Sequence, residues 1–458
     1  MTVLPHPTAS RPPAQSLREH ISRTLRLAGP VIVARCGILV MVSTDTIMTG
    51  RAGGQELAYL AMAYSIQVAM LVLGVGLMGG AAILVSQADG AGNQKGCGNI
   101  LWIAVANAVT LGSLFAVLLL WSEDILLLFG QSPDLAAGGG DAMAMFAPGM
   151  PAVYMFTAGI MFLEGLSRPR PGMIVMLVAV VLNFGLNWLF IYDHVAFVPG
   201  GAAGAVLATS LTRWFMVFAL FIYILTMRDG DSFGVRRPVR DRWHLEKRFL
   251  KLGVPLALSY GFETTAFMSL TMMAGWLGAS QVAGFQVTGN VIGLAFMVAI
   301  GMSAATAVRV GNAVGRHDMP GLRTAGWVGT GLIVVIMIAV GALVLGFADV
   351  IAGIYTSDAG VLVVAIPALT LAAFLLVADG LQGVLIGALR GAGDIWPTTW
   401  IGLAAFWLLM VPAGYALGIA LDLKVQGLLI AELIGVGAAS VLLAWRFRVI
   451  SQRDIAPV

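Results

Sequence analysis

Twelve apolar stretches follow one another along the chain and are separated by short polar segments. Each is about 20 to 30 residues long, the length that an α-helix needs to cross a hydrocarbon layer of about 30 Å. A transmembrane β-barrel would instead show short segments of alternating polarity. The pattern therefore predicts an all-α membrane protein with spans at 27–49, 57–88, 99–121, 142–167, 170–192, 201–227, 249–277, 281–313, 322–348, 362–391, 396–421 and 425–447.

Composition agrees with this pattern. Hydrophobic residues make up 59% of the chain and charged residues only 11%, whereas soluble proteins carry about 25% charged residues. The 57 glycines suit helices that approach one another closely in lipid. We interpret residues 1–26 as a polar tail without a removable signal peptide, 228–248 as a linker and 448–458 as a second tail.

Lysine and arginine placement orients the spans. With an even number of spans both termini lie on one side, and 22 of the 26 basic residues belong to that side. Only Arg51 and Lys424 fall in loops on the other side. Because positive residues stay in the cytoplasm, we expect a cell inner membrane protein with both termini inside. The basic linker 228–248 is interpreted as lying beside anionic lipid rather than as a nucleic-acid site.

The two halves of the chain resemble each other. When the sequence is shifted by 225 positions, Pro30 falls on Pro255 and Gly90 falls on Gly315 without a gap. Both halves start on the same side, so the shift predicts a parallel repeat of two six-helix lobes, an N-lobe over 27–227 and a C-lobe over 249–447. Transporters of this kind bind substrate between their halves, near the middle of the membrane.

Acidic residues inside the predicted spans do not follow the repeat. Five are present, and each costs about 2.5–3.5 kcal/mol at the bilayer centre unless it faces a cavity or a partner. They are Asp45, Glu164, Glu263, Asp379 and Glu432. The shift of 225 places Glu263 on Ile38 and Asp45 on Leu270, so these charges are not part of the shared architecture. The asymmetry favours function over architecture.

Position along the spans separates the acids. Glu263 and Asp379 lie near the middle of their spans and are predicted to meet at similar depth, whereas Glu432 is placed near the outer face. Glu164 precedes Arg168 by one helical turn, which predicts an ion pair between them near the cytoplasmic interface. Burial of a paired, protonated carboxyl is the alternative explanation for the deep acids.

A second polar cluster is predicted in the N-lobe. Asn183 and Asn187 are four residues apart and share one helix face. Asn187 falls in the outer half of its span, as Asp45 does, and Thr209 lies early in the next helix. Asparagines also join membrane helices through hydrogen bonds, so simple helix pairing is the alternative. Arg35 is expected to extend toward the cytoplasm from within its span.

Several chemistries lack their motifs. The segment GAGNQKG from Gly90 does not match a P-loop, and the five histidines form no HExxH pair. Cys36 and Cys97 define neither a disulfide framework nor a metal site. An intramembrane enzyme, a channel and a scaffold are therefore the weaker classes, and no cofactor is expected. The major facilitator superfamily has six plus six spans as well, but SQADGAGNQKG is a poor match to its basic loop motif.

Four segments of the chain carry a resemblance to a known family: LRLAGPVIVARCGILVMVSTDTIMTG, LNFGLNWLFIY, LKLGVPLALSYGFETTAF and ADGLQGVLIGALRGAGD. They resemble the first, fifth, seventh and tenth helices of the multidrug and toxic compound extrusion (MATE) family, in particular its NorM-type bacterial members. The resemblance extends over almost the whole chain. Leu375 is a departure, because NorM-type relatives can carry an aromatic residue there, and so is Arg35.

The resemblance implies a V-shaped pair of lobes and a monomeric antiporter that exports cationic amphipathic drugs in exchange for inward Na⁺ or H⁺. It implies a cation site, with Na⁺ slightly favoured over H⁺, at Glu263 and Asp379. It also implies a proton- and drug-linked network in the N-lobe, formed by Asp45, Asn183, Asn187 and Thr209. A lipid-linked precursor flippase of a related superfamily is the alternative, although a lipid diphosphate would call for arginines in the cavity.

Overall fold

Helices make up nearly all of the structure, a computed structural model that describes residues 17–195, 199–237 and 242–457. The described residues contain no strand. The helices are α1 (Leu17–Ala52), α2 (Gly54–Gly90), α3 (Gln94–Leu118), α4 (Ser122–Leu128), α5 (Pro133–Ala144), α6 (Gly149–Gly165), α7 (Arg170–Ile191), α8 (Gly201–Thr226), α9 (Arg242–Trp276), α10 (Ala279–Gly315), α11 (Met319–Gly346), α12 (Ala348–Tyr355), α13 (Ala359–Gly391), α14 (Ile395–Leu403), α15 (Val411–Gly414) and α16 (Lys424–Ile450).

Twelve helical segments account for the predicted spans. Ten are long and apolar enough on their own, among them the continuous segment Ile395–Ala420, where π-helical turns flank α15. The eleventh is the pair α5 and α6, which is bent by 48°. The twelfth, α9, has 35 residues but is less apolar, because Ser259, Glu263 and Thr264 lie along it. The predicted all-α fold with twelve spans in two lobes is confirmed.

Several element boundaries differ from the predicted ones. The fourth span was predicted as one helix over 142–167, but the chain bends between α5 and α6, where Pro148 and Gly149 interrupt the helix. Helix α1 begins at Leu17, inside the predicted tail, and α9 begins at Arg242, inside the predicted linker. Helices therefore extend beyond the apolar layer into polar sequence, which a hydropathy pattern does not register.

The repeat is visible in local structure as well as in sequence. Before α3, the side chain of Asn93 accepts a hydrogen bond from the amide of Gly96 at 3.2 Å. Before α11, Asp318 caps the helix in the same way through the amide of Gly321 at 2.9 Å. The two capping residues are 225 positions apart, so both halves begin their third span with the same N-terminal cap.

The lobes exchange the beginnings of their first helices. Ala28 of α1 is buried in a core formed otherwise by residues of α10 to α13. Phe249, Leu252 and Leu256 of α9 are buried in the N-lobe core. Because Ala28 and Gly253 are equivalent in the repeat, the two lobes hold each other in a reciprocal way.

This exchange takes place on the side of the molecule where both described ends of the chain lie, which we call the terminal side. His20 near the start of α1 contacts Arg309 at the end of α10. Arg323 at the start of α11 donates a hydrogen bond to the carbonyl of Ser451, just after α16. The opposite side, where α1 ends and α2 begins, is called the far side.

Close helix packing joins the lobes on the terminal side. A Cβ added to Gly90 would lie 2.3 Å from the carbonyl oxygen of Asn312, and one added to Gly315 would lie 2.1 Å from that of Gln87. Only glycine permits such an approach. Toward the far side, a Cβ added to Gly54 or to Gly289 would have no neighbouring atom within 4 Å. The lobes are therefore closed on the terminal side and separated on the far side.

Candidate functional site

Three helices, α1, α7 and α8, bring the predicted N-lobe residues into one buried network around Asp45. The amide of Asn187 donates a hydrogen bond to Oδ1 of Asp45 at 2.6 Å, and the hydroxyl of Thr209 donates to Oδ2 at 2.8 Å. Asn183 donates to Oγ1 of Thr209 at 3.3 Å and accepts from Asn187 at 3.3 Å. The spacing of four residues on α7 places both asparagines on the face that packs against α1 and α8.

Tyr64 completes this network and was not predicted. Its hydroxyl on α2 donates to Oδ2 of Asp45 at 2.7 Å. Its position in the apolar run LAMAYSIQ is a signal in the sequence, because a buried tyrosine hydroxyl needs a hydrogen-bond partner. Asp45 thus accepts hydrogen bonds from three helices besides its own, and its side chain is 1% exposed.

Arg213 on α8 brings a positive charge near the network. Its guanidinium stacks over the ring of Phe146 at 5.0 Å, and it interacts electrostatically with Asp45 and Tyr64. Its Nη1 atom is buried and has no hydrogen-bond partner among the described residues. An unpaired donor beside a carboxylate network is a position at which a ligand oxygen or a water molecule gains a hydrogen bond.

The predicted pair of Glu164 with Arg168 is wrong. Glu164 is buried and pairs with Arg35 of α1 at 3.8 Å, whereas Arg168 pairs with Asp229 at 2.6 Å. The turn that ends α6 at Gly165 directs Arg168 away from the preceding helical turn. Arg35, which was expected to extend toward the cytoplasm, has its ion-pair partner Glu164 one residue before the end of α6.

The deep acids of the C-lobe lie near one another but are not held by hydrogen bonds. Asp379 on α13 is 8% exposed and interacts electrostatically with Glu263 on α9, which is partly exposed. Glu432 on α16 is 5% exposed and interacts with Asp379. None of the three carboxylates has a hydrogen bond or an ion pair with another described residue.

Glu432, which was predicted near the outer face, lies eight residues after the start of α16 at Lys424 and interacts electrostatically with Asp379. Gln382, one turn after Asp379 on α13, also has a buried side-chain oxygen without a hydrogen-bond partner. Within the described residues no group of three or more histidine, cysteine, aspartate or glutamate side chains is arranged to hold a metal ion. The C-lobe thus offers oxygen atoms on several helices, and none of these atoms is fully satisfied.

Arg390 is the positive group nearest to these acids. It donates a hydrogen bond to the hydroxyl of Tyr260 at 2.9 Å and stacks on the same ring at 4.7 Å. It interacts electrostatically with Glu263, one turn along α9 from Tyr260, but forms no salt bridge with it. Its Nε and Nη2 atoms are buried without partners. The sequence placed Arg390 at a span end and missed this contact.

The comparisons with known proteins agree with this geometry. The family model described as MatE matches two segments, residues 30–189 and 255–416, whose starts are 225 residues apart. A probable multidrug resistance protein NorM of Caulobacter vibrioides is 35% identical over 433 residues, covering 94% of this chain and 92% of that protein. A multidrug resistance protein NorM of Photobacterium profundum is 31% identical, covering 94% and 96%.

Solved structures with the same fold include MATE transporters. The eukaryotic MATE transporter AtDTX14 superimposes with a TM-score of 0.86 at 21% identity, covering 95% of this chain and 98% of that one. An outward-facing multidrug resistance MATE family transporter superimposes with a TM-score of 0.87, also at 21% identity, covering 95% and 97%. Two family matches that together cover most of the chain, and relatives above 30% identity over nearly all of it, lead to one conclusion: the chain belongs to the MatE family, as a NorM-type MATE transporter.

Proposed function

We propose that this transporter is a secondary multidrug efflux antiporter, which exports cationic amphipathic drugs in exchange for Na⁺ moving inward. The observation that carries the proposal is the set of carboxylates deep in the C-lobe that have no hydrogen-bond or ion-pair partner within residues 17–195, 199–237 and 242–457. Burying such charges is costly unless a ligand compensates them. The multidrug resistance names of the relatives at 31% to 35% identity support the drug-export part.

Na⁺ suits the C-lobe acids on chemical grounds. It is a hard cation that prefers several oxygen ligands. Glu263 and Asp379 offer carboxylate oxygens, and Gln382 offers a neutral amide oxygen that lacks a donor. A cation among them would relieve the repulsion between the two carboxylates. A proton would relieve it as well, by neutralising one of them, and is the competing coupling ion.

The separated lobes suit exchange at the far side. The structure is open there, so cations outside would reach Glu263, and a drug bound between the lobes would leave in the same direction. Movement of one cation inward across the membrane supplies about 2.3 kcal/mol per 100 mV. The apolar body of the drug would contact the cavity walls, and its charge would face a carboxylate such as Asp45. Binding of the cation would then lower the affinity for the drug, and binding of the drug would lower the affinity for the cation by the same factor.

The proposal also assigns the terminal side to the cytoplasm of a cell with an inner membrane, and treats the transporter as a monomer. Labelling of single cysteines in intact cells tests the orientation, in a variant that lacks Cys36 and Cys97. A membrane-impermeant reagent should label a cysteine at Arg51 and fail to label one at Arg228. The reverse result would contradict the orientation and leave the transport mechanism unaffected.

Efflux from liposomes tests the coupling. Liposomes that contain the purified protein are loaded with a fluorescent cation. A Na⁺ gradient and a pH gradient are then imposed across the liposome membrane in separate experiments. We expect the Na⁺ gradient to drive efflux, and Glu263→Gln and Asp379→Asn each to slow it at least about tenfold, since each removes a charge that binds the ion. Asp349→Asn, an exposed acid of α12, is the matched control.

Two results would change the proposal. Efflux driven by the pH gradient without Na⁺ would assign the coupling to protons and keep the antiporter. Unchanged efflux in both C-lobe variants would contradict the cation site itself. In the N-lobe, Asp45→Asn should reduce drug export while membrane abundance stays near that of the parent, and normal export would restrict Asp45 to a structural role.

A further inference from the structure

Two cavities lie on the terminal side, at equivalent places of the repeat, and they differ in charge. The larger has a volume of about 1870 Å³, and the smaller about 360 Å³. The shift of 225 relates Arg23, Arg309 and Arg316 of the larger cavity to Arg248, Leu84 and Ala91 of the smaller one. The two cavities are therefore related by the repeat, but only one is rich in arginine.

Six arginines line the larger cavity. Two belong to α1, two to the turn before α7 and its first residue, and two to the end of α10 and the residue after it: Arg23, Arg26, Arg168, Arg170, Arg309 and Arg316. The acidic residues in its lining are Asp89 and Asp318, which leaves an excess of four positive charges. Retention of positive residues in the cytoplasm does not explain this excess, because both cavities are on the same side and only one carries it.

Most of these charges are not neutralised by the protein. Arg23, Arg26, Arg170 and Arg316 are exposed and form no hydrogen bond or ion pair with another described residue. Arg309 is partly buried and donates to neutral acceptors, the carbonyl of His20 at 3.0 Å and the hydroxyl of Thr24. Arg168 is paired with Asp229. The cavity therefore holds four like charges that repel one another and are not paired with any acidic side chain of the described residues.

The floor of the cavity is the closed contact between the lobes. Gly90, Asn312 and Gly315 belong to its lining, and they form the close backbone approach described above. The amide of Asn312 in the C-lobe also reaches the hydroxyl of Ser167 in the N-lobe at 3.4 Å. An anion bound here would be attracted to arginines of both lobes at once, across the contact that keeps the terminal side closed.

We propose that the larger cavity binds a phosphate-bearing anion and that this anion stabilises the conformation closed on the terminal side. The planar guanidinium pairs with phosphate oxygens through two parallel hydrogen bonds, which makes arginine the preferred residue for such a ligand. The anion is the headgroup of an acidic phospholipid or a soluble phosphate. The site is separate from the acids that carry the transport proposal, so it stands or falls independently of the coupling ion.

Binding is tested with a matched pair of variants. Arg23→Gln/Arg316→Gln removes one exposed arginine from each lobe inside the cavity. Arg248→Gln/Arg453→Gln removes the same number of charges from the terminal side but outside the larger cavity. Arg248 is the equivalent of Arg23 in the repeat and lines the smaller cavity. The probes are phosphatidylglycerol against phosphatidylcholine, followed by native mass spectrometry, and inorganic pyrophosphate, followed by thermal unfolding in detergent.

We expect the cavity variant to lose at least about tenfold in affinity for the anionic probe, and the control to change by less than about twofold. Retention of phosphatidylglycerol alone would assign the lipid as the source, and stabilisation by pyrophosphate alone would assign the soluble anion. Absence of binding by both probes, or an equal loss in both variants, would overturn the site.

Distance measurements test the conformational effect. Spin labels are placed at Gln55 and Ser280, which are exposed, lie at the far-side starts of α2 and α10, and are equivalent in the repeat. In a variant lacking Cys36 and Cys97, the anion should increase the population with the longer distance, and Arg23→Gln/Arg316→Gln should abolish the increase. Binding without any shift in this distribution would overturn the stabilising role.

Discussion

The two lobes share one architecture but treat their buried charges in opposite ways. In the N-lobe, Asp45 accepts hydrogen bonds from Tyr64, Asn187 and Thr209, and Glu164 is paired with Arg35. In the C-lobe, Asp379 and its acidic neighbours have no hydrogen-bond or ion-pair partner among the described residues. The same helical frame therefore supports one site whose carboxylates have hydrogen-bond or ion-pair partners in the protein, and one site whose carboxylates have none among the described residues.

This difference shows how a duplicated fold can acquire two functions. A hydrogen-bonded carboxylate is already compensated and changes state only when its donors rearrange. Carboxylates without partners are stabilised when a cation binds, because the cation supplies the opposite charge that the protein does not provide. We infer that the C-lobe binds the ion that drives transport, and that the N-lobe responds to proton or drug through its network. Four predictions test the contrast.

The largest effect is expected where a buried pair in the N-lobe is broken. Glu164→Gln leaves the guanidinium of Arg35 without its partner, and removing one member of a buried pair costs about 3–5 kcal/mol of unfolding free energy. The double variant Arg35→Gln/Glu164→Gln should recover part of this loss. Thermal and denaturant unfolding of the purified protein measure both, with exposed Glu123→Gln as control. Single variants as stable as the control would contradict the pairing.

Removal of the charge on Asp45 should destabilise the protein by about 2–3 kcal/mol. The asparagine amide brings a donor where Asn187, Tyr64 and Thr209 already donate, so at least one hydrogen bond to a charged group is lost. Tyr64→Phe, which removes a single donor, should cost about 1–2 kcal/mol. Tyr59→Phe is the control, because Tyr59 bonds only with exposed Gln55. Equal stability of the Tyr64 and Tyr59 variants would contradict a stabilising hydrogen bond from Tyr64 to Asp45.

Removal of the charge on Asp379 should stabilise the protein, whereas removal of the charge on Asp45 should destabilise it. In Na⁺-free buffer, Asp379→Asn relieves repulsion with Glu263 and Glu432, and we expect a gain of about 1 kcal/mol, close to the energy of one pKa unit. Addition of Na⁺ should then stabilise the parent protein more than the variant. Thermal unfolding with and without Na⁺ measures this. Destabilisation of the variant in Na⁺-free buffer would mean that Asp379 is satisfied, as Asp45 is.

The smallest effect is expected for the surface pair of Asp229 and Arg168. The hydrogen bond from Arg168 lowers the pKa of Asp229 below its ordinary value and raises the pKa of Arg168. A lowered folded-state pKa gives stability that is present above the unfolded pKa and is lost as pH falls through the folded pKa. Both side chains are 39% exposed, so Asp229→Asn should cost less than about 1 kcal/mol at pH 7.

This difference between parent and Asp229→Asn should begin to shrink as pH falls below the ordinary aspartate pKa of about 3.9, and it should disappear only below the lowered folded-state pKa, where the folded carboxyl takes up its proton. Unfolding measured from pH 7 to pH 3 tests the sign. Asp231→Asn is the comparison, because Asp231 pairs with Arg236 at 3.0 Å and is 67% exposed. A stability difference that grows toward acid pH would contradict the assignment.

The sequence by itself determined the fold class, the number of spans and the repeat. Hydrophobic run length follows from the thickness of the bilayer, and the positions that the repeat conserves, such as Gly90 and Gly315, are those that backbone packing requires. Asp45, Glu263 and Asp379 could be recognised as candidate functional residues from the sequence. A charge inside an apolar span has a high free-energy cost in the membrane, and this holds whichever residue is its partner. Helix spacing also placed Asn183 and Asn187 on one face.

Only the tertiary structure decided which charges meet. Arg35 and Glu164 are 129 positions apart, and their pairing depends on how the tertiary structure places α1 relative to α6, so local spacing favoured Arg168 and was wrong. Tyr64 and Glu432 join their clusters through the rotation of α2 and α16 about their axes, which a uniformly apolar helix does not reveal. The arginine cavity forms where three helix ends from both lobes come together. Such contacts depend on packing between distant segments, which hydropathy along one segment does not specify.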